Sequence, residues 1–64
     1  MNVYCSEIEI DKNTVIRGFS NKIKVKRNVR EITVVGMRNE IILFNKKTKV
    51  NIKGIDNIIQ HRKV

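Results

Sequence analysis

The chain has 64 residues, one cysteine and no proline or tryptophan. It therefore holds one domain at most and no internal disulfide, and a chain of this size buries only about 60% of the surface its unfolded form exposes. The formal charge of +8 is unevenly spread: residues 1–11 carry Glu7, Glu9 and Asp11 without a Lys or Arg, and all fourteen Lys and Arg lie in residues 12–64 against Glu31, Glu40 and Asp56.

Residues 1–13 read as an acidic N-terminal strand or cap, in which Ile8 and Ile10 alternate with acidic residues. The opening, Met1-Asn2-Val3-Tyr4-Cys5-Ser6-Glu7, has no basic run followed by an apolar core, which argues against a secretory signal. No apolar run approaches the roughly 20 residues of a membrane span. With the lone Cys5, these features set the expectation of an intracellular protein, cytoplasmic or associated with a virion or other assembly.

From Thr14 the chain repeats. Gly18, Gly36 and Gly54 are its only glycines, and they stand 18 residues apart. Each opens a Gly-x-x-Asn phrase ending in an apolar residue: Gly18-Phe19-Ser20-Asn21-Lys22-Ile23, Gly36-Met37-Arg38-Asn39-Glu40-Ile41, Gly54-Ile55-Asp56-Asn57-Ile58-Ile59. A strand-like stretch precedes each phrase, at residues 14–17, 32–35 and 50–53. Apolar residues recur with period two on both sides, the pattern of half-buried strands. The spacing predicts three repeats, 14–31, 32–49 and 50–64, with no helix. Glycine suits a positive φ at a sharp corner, and stacked Asn21, Asn39 and Asn57 would form a hydrogen-bonded ladder. Phe19, Met37 and Ile55 would stack as an apolar column beside that corner. The second corner, at residues 27–31 and 45–49, is longer and polar.

The runs Ile16-Arg17-Gly18-Phe19-Ser20-Asn21-Lys22-Ile23-Lys24-Val25 and Val34-Val35-Gly36-Met37-Arg38-Asn39-Glu40-Ile41-Ile42-Leu43 resemble the rungs of parallel β-helix (β-solenoid) proteins. The resemblance covers residues 14 to about 60. It implies an all-β fold, a short three-rung parallel β-helix, and a stackable scaffold without a particular activity. A right-handed coil is expected, because the six-residue apolar period of the left-handed type, also of 18 residues per coil, would place Lys47 and Lys53 inward. The third copy departs from the pattern, with His61 where Val25 and Leu43 stand. The alternative fold is a small antiparallel β-barrel or meander, each Gly-x-x-Asn being a hairpin tip.

On the solenoid reading, even strand positions face outward. In the first repeat they form a basic stripe. Arg17, Lys22, Lys24, Lys26, Arg27 and Arg30, with Lys46, Lys47, Lys49 and Lys53 as a second cluster, are the candidate polyanion contacts, able to track phosphates without reading sequence. The bland readings are that lysine keeps β edges soluble and that an AT-rich genome sets the composition. In the second repeat the outward set includes Val35, Ile42 and Phe44, with Ile58 beside them, a candidate apolar interface. A one-residue slip of register would exchange the faces.

Chemistry is sparse. No Ser/His/Asp spacing, Cys-x-x-Cys, metal cluster or phosphate loop stands out, and the expectation is no catalytic residue, metal, cofactor or small-molecule substrate. The leading expectation is a non-enzymatic, self-associating β-solenoid, a homo-oligomer or filament with a structural or scaffold role. The alternatives are a basic nucleic-acid-binding protein and a basic subunit docked on an acidic partner.

Overall fold

The computed structural model describes residues 1–62, and residues 63–64, the end of the third repeat, lie outside them. All regular structure in the described residues is strand: β1 Asn2–Tyr4, β2 Glu7–Ile10, β3 Thr14–Phe19, β4 Lys22–Val25, β5 Glu31–Met37, β6 Glu40–Leu43, β7 Lys49–Ile55 and β8 Ile58–His61. Odd-numbered strands build one sheet, β1-β3-β5-β7, and even-numbered strands another, β2-β4-β6-β8. Every pairing is parallel. The fold is a β-solenoid of about three turns, and the antiparallel meander is excluded.

The repeat sets the register. Thr14 pairs with Ile32 and Ile32 with Val50, while Ile23 pairs with Ile41 and Ile41 with Ile59. Parallel strands stand about 4.8 Å apart, so equivalent side chains of successive layers touch. Between the two sheets lies one contiguous core of Ile10, Ile16, Ile23, Val25, Val29, Ile32, Val34, Ile41 and Leu43, with Val3, Ile8, Val50 and Ile52 packed against it. Despite His61, β8 forms and pairs with β6.

Residues 1–13 supply a first layer whose register differs. Asn2 pairs with Arg17 and Glu7 with Lys22, an offset three residues shorter than the later period. Asp11-Lys12-Asn13 replaces the longer second corner below it. Asn13 Oδ1 accepts from the N–H groups of Arg30 and Glu31, both at 3.1 Å, which docks the short corner onto the next.

Glycine serves a different end from the corner anticipated for it. Gly18, Gly36 and Gly54 have φ of 155°, 143° and 137° and lie within strands, whereas the left-handed turn falls two residues later, at Cys5, Ser20, Arg38 and Asp56, with φ of 51–58°. What demands glycine is the layer above. A Cβ on Gly36 would stand 1.7 Å from the Gly18 carbonyl oxygen, and one on Gly18 would stand 1.6 Å from that of Val3. Val3 occupies the glycine register itself and carries a side chain.

The asparagines form the ladder. Asn21 Nδ2 donates to Asn39 Oδ1 at 3.0 Å and Asn39 Nδ2 to Asn57 Oδ1 at 3.1 Å. Each acceptor also takes the backbone N–H of the asparagine above, at 3.2 and 3.1 Å. The same amides donate to the glycine carbonyls, Asn39 to Gly18 and Asn57 to Gly36. In the first layer the ladder ends at Ser6, whose N–H donates to Asn21 Oδ1 at 3.1 Å.

Two substitutions test this account by urea denaturation. Gly36→Ala abolishes cooperative unfolding or costs more than about 4 kcal/mol, since neither carbonyl nor Cβ can yield. Asn39→Ala costs about 3 kcal/mol or more, because buried donors of Asn21 lose their acceptor at roughly 1–3 kcal/mol each. Asn57→Ala costs clearly less, because Asn57 is half-buried and water can replace part of what it supplies.

Candidate functional site

The two corners of the coil differ in chemistry. At the glycine corner, Tyr4, Phe19, Met37 and Ile55 occupy one register position in successive layers. They are 57%, 41%, 45% and 63% exposed, and the Tyr4 and Phe19 rings meet with centroids 5.0 Å apart. Each sits just before the left-handed residue of its layer, which turns the chain and leaves the preceding side chain on the outer edge. The result is a vertical apolar stripe along that corner.

The outer-face patch expected from sequence is not formed as such. Ile42 is fully buried, Val35 and Phe44 are half-buried, and only Ile58 is exposed. Ile42 stands apart from the core between the sheets. It lies in register between half-buried Lys24 and exposed Gln60, and alternation alone does not foresee the burial of an outward position. The apolar surface that remains open is the glycine-corner stripe.

The basic candidates divide. Lys24 pairs with Glu7 at 3.3 Å and Lys26 with Glu9 at 3.5 Å, and Lys22 lies in register between Glu7 and Glu40. The β4 face is thus a lattice of both signs rather than a bare basic stripe. Arg17 lies on the other sheet in register with Val35 and Lys53. Arg30 and Lys49 adjoin at the return into the first sheet, where the Lys49 N–H donates to the Arg30 carbonyl, next to Glu31 on the β5 strand.

Arg27, Lys46 and Lys47 come together. With Phe44, His61 and Arg62 they line an open groove of about 970 Å³ at the second corner. No carboxylate lines it among the described residues. Asn45 holds its rim: its Nδ2 donates to the Arg27 carbonyl at 3.0 Å and its Oδ1 accepts the Lys47 N–H at 2.9 Å. Below, Thr48 Oγ1 donates to the Val29 carbonyl at 2.8 Å. These bonds tie the Lys46-Lys47 turn to the corner above. Arg62 was absent from the sequence-based set, although its place 18 residues after Phe44 is the signal that would have found it. Its N–H donates to the Leu43 carbonyl at 2.8 Å.

Among the described residues no group of three His, Cys, Asp or Glu could hold a metal ion, and no helix is long and apolar enough to cross a membrane. Residues 16–64 match a family described as a protein of unknown function, DUF3060. The chain belongs to this family. No curated protein and no solved structure matches the chain. The DUF3060 match spans all three glycines and the whole asparagine ladder.

Burial separates the two outer-face isoleucines. Ile42→Ala lowers unfolding free energy by about 2–4 kcal/mol through a cavity, whereas Ile58→Ala changes it by no more than about 0.5 kcal/mol, as expected of an exposed site. Thermal melts of both variants check the contrast.

Proposed function

We propose that this protein is a non-enzymatic structural module that self-associates through its glycine-corner stripe. The observation that carries the reading is the unbroken apolar column of Tyr4, Phe19, Met37 and Ile55 on the outside of a small, highly charged chain. Contiguous exposed apolar surface on such a molecule marks an interface.

A second copy is the occupant that fits. A two-fold axis between Phe19 and Met37 sets the aromatic half of one stripe against the aliphatic half of the other: Phe19 against Met37 and Tyr4 against Ile55. Aromatic rings and methionine sulfur attract in such contacts, and an isologous patch closes on itself. The charges flanking the stripe, Arg38 and Asp56, then face Ser20 and Cys5 of the other copy, so no like charges oppose.

Head-to-tail growth into a filament is disfavoured on the same geometry. In-register stacking below Gly54 requires a glycine, because a Cβ in that position meets the carbonyl above, and the N-terminal layer would offer Val3. The proposed assembly is therefore a closed pair. The exposed, unpaired Cys5 fits a reducing compartment, which supports an intracellular setting.

Light scattering at high protein concentration tests the reading. The expected result is a dimer that Met37→Lys converts to monomer while the melting temperature of the monomeric form changes little. A strict monomer, or a dimer that persists in Met37→Lys, overturns it.

A further inference from the structure

The groove at the second corner is independent of the stripe and sits at the other end of each coil. We propose that it binds single-stranded nucleic acid, with Arg27, Lys46, Lys47 and Arg62 on the phosphates and Phe44 beneath a base.

Four observations support this. First, the cations converge from three layers: Arg27 after β4, Lys46 and Lys47 after β6, and Arg62 after β8. Residues so far apart in sequence reach one concavity only because the layers stack in register. Second, this part of the surface differs from the β4 face. There Glu7, Glu9 and Glu40 interleave with the lysines, whereas in the groove no acidic side chain among the described residues offsets the charge. Cations concentrated in a cleft focus the field and raise the local concentration of an anionic ligand. Third, the lysines are mounted on a fixed frame, since Asn45 bonds both the Lys47 N–H and the Arg27 carbonyl. Pre-ordering of the turn lowers the cost of ordering it on binding.

Fourth, an aromatic ring lines the same groove. Phe44 is half-buried and lies in register between Lys26 and Arg62 as the 18-residue period continues. A positive groove combined with an aromatic platform is the arrangement that takes unpaired bases, because every base has a stacking face. The groove is open along its length and of about 970 Å³, within the roughly 300–1,000 Å³ range of ligand sites. A duplex is about as broad as the whole molecule, whose extents are 25 × 19 × 18 Å. It would touch only the rim and leave Phe44 without a base. An acidic protein segment would meet the cations and equally leave the ring unused.

Fluorescence anisotropy with a labelled oligothymidylate, read across a salt series, tests the proposal. Four phosphate contacts on a single strand predict a slope of log K against log salt of about −3. Lys46→Glu/Lys47→Glu is expected to weaken binding at least tenfold and flatten the slope. Arg17→Glu/Lys22→Glu, which changes the net charge equally but away from the groove, is expected to change affinity less than threefold. Phe44→Leu keeps an apolar side chain and removes the stacking face, so affinity should fall about fivefold or more with the slope unchanged. Circular dichroism of each variant confirms the fold. Equal losses in both charge-reversal variants would reduce the effect to overall charge and overturn the proposal. So would heparin or a poly-glutamate binding as tightly as the oligonucleotide, or Phe44→Leu binding like the parent. Met37→Lys is expected to retain oligonucleotide binding, which separates this proposal from self-association.

Discussion

The approach of backbone to backbone at the glycine corner is the constraint on which the rest of the structure depends. Each repeat layer passes so close under the one above that a Cβ in Gly18, Gly36 or Gly54 would overlap a carbonyl. The asparagine three residues on then spends its amide on that close approach, bonding the glycine carbonyl above and the neighbouring asparagines. Together they lock layers in register at one edge. In-register stacking is what places isoleucine on isoleucine between the sheets, and the hydrophobic core follows from it. No buried side-chain polar atom is left without a partner among the described residues. That matters for a small core, where a single unmet donor costs as much as a good apolar contact contributes.

The first layer departs from the glycine and asparagine pattern of the layers below it. Val3 and Ser6 stand where glycine and asparagine recur below. Its Glu7 and Glu9 lie in register with Lys22 and Lys24 of β4 and form ion pairs with Lys24 and Lys26. The uneven charge along the chain thereby becomes local neutralisation on one sheet, and the uncompensated cations are left mainly at the second corner. A stack held by its glycine edge and its interior leaves both outer corners free to vary. The apolar stripe and the basic groove occupy those corners, and neither disturbs the ladder.

Much of the fold was legible because a parallel stack reproduces its period in the sequence. The three glycines, the three asparagines and the alternating isoleucines gave layer length, strand positions and register. The first layer was not legible as a layer, since its shorter second corner breaks the 18-residue spacing and Val3 and Ser6 remove the marker residues. The exposed column of Phe19, Met37 and Ile55 could be read, but Tyr4 at its head could not. The outer-face patch failed at Ile42 because alternation reports the direction of a side chain, and burial depends also on the lengths of its neighbours. Lys24 and Gln60, in register one layer away on either side, both carry long side chains.

For the candidate site the division is similar. Arg27, Lys46 and Lys47 were visible as charges, yet so were Lys22, Lys24 and Lys26, and nothing in the order of residues separates the two groups. The sequence by itself determined the period, the all-β character and the stacking of like on like, because these depend on local conformation repeated at fixed spacing. Only the tertiary structure decided which cations are neutralised, which apolar residues stay open, and that Arg62 and Phe44 share a groove with Arg27. Those outcomes depend on distances across layers, and a distance between side chains 17 to 35 residues apart is set by how the coils close.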